Sequence, residues 1–159
     1  MARIASFHLI RERRGRAPLA MARLGLDRPR LGRVDGLVFW RLLGTGSGSD
    51  TGPGADPRRT ALFAVWENEA DLDRFLASHP IPRRWGRAEE QWSVRLRRLG
   101  GRGTWRGVDP LEGMEDGDRS GRVAILTRAD VRPKSWRAFG AAGKEVDAEL
   151  HTADSLIGV

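Results

Sequence analysis

The alternation of strand-like and helix-like segments is the feature of this chain that most restricts its fold. Before residue 100 the order is strand, helix, strand, strand, helix, strand. The strands are rich in β-branched and aromatic residues, and the helices begin near Pro18 and Asn68, which suit a first turn and an N-cap. The predicted bounds are 3–10, 18–26, 37–43, 60–66, 69–78 and 92–99, with a short helical segment over 85–90. This order predicts the ferredoxin-like βαββαβ motif, an α+β fold.

A second, shorter copy of the pattern follows. Residues 100–121 are rich in Gly, Asp and Arg and predict a linker. A strand over 123–131, a helix from Pro133 to about 150 and a strand from 156 come next. The predicted domains are therefore a first ferredoxin-like repeat over 1–99, a linker over 100–121 and the start of a second repeat over 122–159. This partial repeat leaves a sheet edge and an apolar face uncovered, so either another subunit covers them or the repeat is incomplete. Because the chain ends inside an apolar strand, we expect the second repeat to be incomplete.

Composition excludes several classes of function. The chain has no cysteine, which excludes disulfides, thiolate catalysis and Cys-ligated metal centres. It has neither an apolar run of roughly 20 residues nor a secretory signal pattern, so we expect a cytoplasmic protein that does not span a membrane. The net charge of +7 suggests nucleic-acid binding. However, the arginines are spread along the chain rather than gathered into one stripe, so no nucleic-acid partner is predicted.

The segment over residues 24–48 carries a family resemblance. It reads LGLDRPRLGRVDGLVFWRLLGTGSG and contains Gly32-Arg33, Gly36-Leu37, Phe39-Trp40 and Gly44-Thr45-Gly46. It resembles the spheroidene monooxygenase family of carotenoid ketolases, and the resemblance continues through 90–96 (EQWSVRL), 102–105 (RGTW) and 126–129 (LTRA).

The resemblance implies a fold and an activity. It implies ferredoxin-like repeats of the dimeric α/β-barrel type and a homodimer. It also implies a monooxygenase that converts a methylene of an apolar, carotenoid-like or other isoprenoid substrate into a ketone, with haem, O2 and an unidentified electron donor. Two other readings stay open, which are a non-catalytic module that binds haem or a hydrophobic ligand, and an inactive fragment.

Histidine supplies the candidate haem ligands. His79 follows the second helix of the first repeat, and His8 lies within the first strand, where it could face a sheet-lined pocket. His151 lies in a predicted turn. A non-ligand role stays open for each, since His79 precedes Pro80 and could simply close the helix. The three are not at chelating spacing, so neither a zinc nor a non-haem iron site is predicted.

Aromatic residues on three predicted strands are the candidate substrate pocket. They are Phe39, Trp40, Phe63, Trp66 and Trp92. A polyene or a porphyrin needs an apolar, flat-walled space of this kind. Neighbours on a strand point to opposite faces, so only some of the five can line one cavity, and ordinary core packing is the alternative. No acid–base pair or nucleophile elbow is present in the sequence pattern, so catalytic residues are not assigned.

Overall fold

The computed structural model describes residues 2–44 and 56–126, together with Ser135. The elements in these residues are β1 (Ile4–Arg11), α1 (Ala17–Leu26), α2 (Arg28–Leu31), β2 (Leu37–Gly44), β3 (Arg59–Trp66), α3 (Glu69–Ser78), α4 (Pro80–Trp85) and β4 (Glu90–Leu96). The strand bounds agree with the predicted ones to within three residues.

A four-stranded sheet in the order β2-β3-β1-β4 organises these elements. All neighbouring strands are antiparallel, with Phe7 opposite Phe63 on one side and opposite Val94 on the other. The path from β1 to β2 passes over β3, and the path from β3 to β4 passes over β1. This strand order confirms the predicted ferredoxin-like α+β fold.

The two faces of the sheet pack against different partners. On one face the helices cover a core that includes Leu62, Trp66, Leu72, Phe75 and Trp85. The other face carries a smaller cluster, with Phe39, Phe63 and Val65 buried beside Met114. This second face, which we call the open face, is formed by Ala5, Phe7, Leu9, Phe39, Arg41, Phe63, Val65, Trp92, Val94 and Leu96.

A β-bulge in β2 decides which side chains reach which face. Leu37 is opposite Trp66, but Phe39 is opposite Val65, so Val38 is an extra residue in the strand. Val38 is 42% exposed. As a result, Leu37 and Trp40 both pack on the helix side. A regular strand would place residues three apart on opposite faces, and sequence periodicity did not predict the bulge.

The predicted start of the α3 helix is confirmed. The Asn68 side chain accepts a hydrogen bond from the backbone N–H of Asp71 at 3.0 Å, as an N-cap does. The predicted short helix over 85–90 is wrong, because that helix, α4, spans Pro80–Trp85. As expected, α3 ends before Pro80. Pro80 then occupies the first turn of α4, where its missing N–H costs nothing, and His79 caps that helix.

Much of the predicted linker packs onto the open face. Met114 and Leu111 join the cluster there, and Met114 is only 7% exposed. The Arg3 guanidinium donates to the Glu112 carbonyl at 2.7 Å, and the Gly117 N–H donates to the Arg98 carbonyl at 2.6 Å.

Little of the predicted second repeat lies within the described residues. Residues 123–126, the described part of the strand predicted over 123–131, are not in the sheet. Apart from Ser135, the rest of the predicted repeat lies outside the described residues, so the domain division stays a prediction.

Candidate functional site

The five predicted pocket aromatics lie on two different faces of the sheet. Phe39, Phe63 and Trp92 lie on the open face, whereas Trp40 and Trp66 lie on the helix side. Trp66 is fully buried, with its ring centroid 4.9 Å from that of Phe75. The five therefore do not line one cavity, because the alternation of side chains along each strand separates them.

The open face carries an aromatic platform formed by Phe39, Phe63 and Trp105. The Phe39 and Phe63 centroids are 6.1 Å apart, and Trp105 lies 5.8 Å from Phe39. Trp105 is nearly parallel to Phe63, with 12° between the ring planes. Sequence reasoning did not assign Trp105 to the pocket, because it falls within the predicted linker. The only signal was its place in the RGTW match to the family.

Arg41 lies against this platform. Its guanidinium carbon is 4.3 Å from the Phe39 ring centroid and 5.4 Å from that of Trp105. A cation over aromatic faces is attracted by the ring quadrupole. Its Nη1 also donates to the Trp40 carbonyl at 2.7 Å. Phe39 and Phe63 are themselves buried, so the platform is a packed aromatic cluster bordered by one oriented positive charge.

Trp92 extends the apolar surface toward the sheet edge. It meets Phe7 edge-on at 6.2 Å and is 54% exposed. An exposed tryptophan beside the half-buried Phe7 and Leu9 indicates a surface suited to a ligand or a partner.

On the helix side, the described residues enclose a small cavity. Its volume is about 30 Å³, and apolar side chains such as Ile10, Leu62 and Trp85 line it. That is about the space of one water molecule, whereas drug-sized ligands need several hundred Å³. Two buried carboxylates also line it, and both are paired. Glu12 accepts from Arg23, and Asp27 accepts from Arg84 Nη2 at 2.7 and 2.8 Å.

His8 belongs to a buried polar network, with both ring nitrogens occupied. Its Nε2 is 2.9 Å from the Ser6 hydroxyl, and its Nδ1 is 2.9 Å from the Ser93 hydroxyl. Ser6 Oγ also accepts from Trp66 Nε1–H at 2.9 Å. One arrangement uses all of these groups: Ser6 donates to Nε2, and Nδ1–H donates to Ser93. A metal could bind His8 only by displacing a serine from this network.

The network makes stability depend on the charge of His8. Burial lowers the pKa of His8 to about 4, and the positive charge of Arg95 adds to the effect. In the unfolded chain the pKa of His8 is 6.5, so the unfolded chain binds a proton more readily. The contribution of neutral His8 to the free energy of unfolding is therefore fully present above about pH 6.5. About 3 kcal/mol of it is lost as the pH falls toward 4.

Urea unfolding at pH 7 and pH 4.5 measures this loss, with His8→Gln as the variant that cannot titrate. Burial also lowers the pKa of His79, so both proteins should carry His79→Asn. Equal pH dependence of the two proteins would show that His8 does not contribute.

His79 also does not fit a haem ligand. Its Nδ1 accepts the backbone N–H of Ile81 at 3.3 Å, and its ring stacks on Phe75 at 4.9 Å. A neutral imidazole that accepts at Nδ1 has its proton on Nε2, so Nε2 has no lone pair to offer iron. His151 lies outside the described residues. Within the described ranges, no group of three His, Asp or Glu side chains could hold a metal ion.

The described residues define an α+β protein of ferredoxin-like fold with an aromatic platform on one sheet face. No protein-family model matches the chain. The structure is similar to that of NE2512, a protein of unknown function from Nitrosomonas europaea. The TM-score is 0.51 at 14% identity, over 66% of this chain and 97% of that one, and the likeness supports the fold alone. No helix in the described ranges is long and apolar enough to cross a membrane.

Sequence comparison identifies the relatives. The chain is 32% identical over 143 residues to spheroidene monooxygenase of Rhodobacter capsulatus, covering 88% of this chain and 59% of that protein. It is 34% identical over 133 residues to spheroidene monooxygenase of Rubrivivax gelatinosus, covering 82% of this chain and 51% of that protein. The chain is thus a relative of the spheroidene monooxygenases, and the resemblance drawn from its motifs is confirmed. It spans little more than half the length of these relatives.

Proposed function

We propose that the chain acts as a monooxygenase on an apolar, carotenoid-like or other isoprenoid substrate. The observation that carries this proposal is the 32% identity to a spheroidene monooxygenase over 88% of the chain. The open face supports it physically, because the exposed ring of Trp92 beside the half-buried Phe7 offers apolar surface to a flat conjugated chain.

The reaction sets what the protein must provide. Converting a methylene into a ketone takes two hydroxylations, each consuming one O2, two electrons and two protons and releasing one water, and the resulting gem-diol then loses water. The described side chains offer no acid–base pair for this chemistry. Their part is to hold the substrate against the open face and exclude water while a redox group supplies the oxygen chemistry.

Haem remains a prediction of the resemblance. His8 and His79 both use ring nitrogens in hydrogen bonds that hold the fold together. They do not fit the role of an axial ligand, so no step of the mechanism is assigned to haem through them. The electron donor stays unassigned.

Removal of the exposed ring from the open face is the direct test. Trp92→Leu keeps the surface apolar but removes the ring, so we expect kcat/KM for oxygen insertion to fall about tenfold. The assay is mass spectrometry of spheroidene incubated with the protein, a reductant and ¹⁸O₂. Phe75→Leu is the control, because it removes a ring from the core behind the sheet. An unchanged rate in the folded Trp92→Leu variant would contradict a substrate role for the open face.

A non-catalytic binding module is the second candidate. The observation favouring it is that both described histidines are engaged in structural hydrogen bonds. It predicts saturable binding of spheroidene or haemin, seen as a shift in their absorption spectra, without O2-dependent product. Labelled ketone in the assay above would exclude it.

A homodimer belongs to the same proposal. Trp92, 54% exposed beside Phe7, offers an apolar surface that a second copy could cover. Light scattering of the purified chain tests this, and Trp92→Glu is expected to shift a dimer toward monomer. A cytoplasmic location also belongs to the proposal, since the absence of cysteine agrees with a reducing compartment.

A further inference from the structure

One short segment of this protein is strongly positive. Residues 13–33 contain seven arginines against one carboxylate, Asp27, which gives a net charge of +6, and the whole chain carries +7. The remaining 138 residues are therefore nearly neutral in sum. The arginines themselves are spread along the chain, as expected. Residues 83–106 also hold eight of them against two carboxylates, but several of these are paired with carboxylates in the fold.

The structure places this charge at both ends of α1. Arg23 turns inward to Glu12, and Asp27 is buried against Arg84. The exposed arginines are Arg13, Arg14 and Arg16 before the helix and Arg28, Arg30 and Arg33 after it. In the described part of the chain, Arg30 bonds to Asp27, whereas Arg13, Arg14, Arg16, Arg28 and Arg33 have no carboxylate within salt-bridge distance.

The outward side of α1 between these clusters is uncharged. Its exposed residues are Pro18, Leu19, Met21, Ala22, Gly25 and Leu26. Leu19, Met21 and Leu26 are 41, 47 and 60% exposed. A surface helix normally turns polar and charged residues toward water. Apolar side chains bordered by arginine are typical of helices that lie in the interface of a membrane.

We propose that α1 and its flanking arginines dock this protein on the surface of an anionic lipid bilayer. The arginines complement the lipid phosphates, and Leu19, Met21 and Leu26 reach the boundary between headgroups and acyl chains. Nucleic acid would account for the arginines, but not for the apolar residues between them. This surface is separate from the open face, and docking through it does not depend on the proposed activity.

Co-sedimentation with lipid vesicles tests the proposal. The purified chain is expected to bind vesicles of phosphatidylcholine with phosphatidylglycerol at low salt, and to bind phosphatidylcholine vesicles far more weakly. The triple variant R13Q/R14Q/R16Q should bind on the order of 100-fold more weakly. The triple variant R97Q/R102Q/R119Q removes the same charge elsewhere on the exposed surface and should keep most of the binding.

The apolar residues are tested in the same way. Met21→Glu with Leu26→Glu should abolish binding, whereas Val108→Glu with Val123→Glu, at positions that are 50 and 59% exposed, should not. Circular dichroism confirms that each variant is folded. Equal losses in the two arginine variants, or tight binding to duplex DNA with none to vesicles, would overturn the proposal. No substrate or O2 is needed, so these results are independent of any failure of the proposed activity.

Discussion

Replacing Gly36 by alanine is expected to lower the free energy of unfolding by about 4 kcal/mol. Gly36 has φ of +76°, a region that side chains with a Cβ rarely adopt. An added Cβ would also overlap the Asp71 carboxyl carbon and lie 2.6 Å from the Asp71 Cβ. Asp71 cannot simply move away, because its N–H is held by the Asn68 side chain that caps α3. The backbone strain and the steric overlap with Asp71 therefore both lower the free energy of unfolding.

Urea unfolding of three variants beside the unchanged protein measures this effect. Gly25→Ala is the matched control, because no atom lies within 4 Å of an added Cβ and the residue is inside α1. That change should stabilise the protein by roughly 0.5–1 kcal/mol. In a Gly36→Ala, Asp71→Ala double variant the overlap with the carboxyl group is relieved, while the contact with Cβ and the backbone strain remain, so stability should recover in part. A cost below about 1 kcal/mol for Gly36→Ala alone would mean that the turn adjusts freely.

Ser6→Ala is expected to cost about 4 kcal/mol despite removing a single oxygen atom. The Ser6 hydroxyl is fully buried and serves two partners, accepting from Trp66 Nε1 and contacting His8 Nε2. Its loss leaves both of these buried polar groups without a hydrogen bond, and each such group costs roughly 1–3 kcal/mol.

Ser93→Ala is the matched control at the other end of the network. The Ser93 hydroxyl bonds to His8 Nδ1, and Ser93 is an exposed residue of β4, so a water molecule can take the place of its hydroxyl. Its removal should cost at most about 1 kcal/mol. Trp66→Phe in the Ser6→Ala background should recover part of the loss, because one orphaned donor disappears. Equal costs for the two serines would contradict the proposed network.

The order of elements and the caps were predictable because they depend on neighbours in the sequence. The apolar run of β3 predicts a strand covered on both faces, and Ala61 through Trp66 are indeed buried. Asn68 caps α3 through a backbone group only three residues away. Such features need no knowledge of the rest of the chain.

The site was less predictable because its determinants are tertiary. The role of His8 depends on Ser93, which is 85 residues away and which only the pairing of β1 with β4 brings near. Trp105 reaches the platform because its segment returns over the open face, anchored through Arg3. The helix α4 begins at Pro80, directly after α3 ends, because His79 caps it. Periodicity in a single segment carries none of this information.

The bulge at Val38 also has an evolutionary consequence for β2. Losing one residue inside the regular part of the strand would exchange its two faces, turning Trp40 outward or Phe39 inward. Losing Val38 itself would only restore a regular ladder, leaving Leu37 opposite Trp66 and Phe39 opposite Val65, each on its present face. Lineages that vary in length along this strand should therefore do so at position 38 and nowhere else between Leu37 and Gly44. An alignment of descendants of a common ancestor would record the bulge as the one tolerated gap.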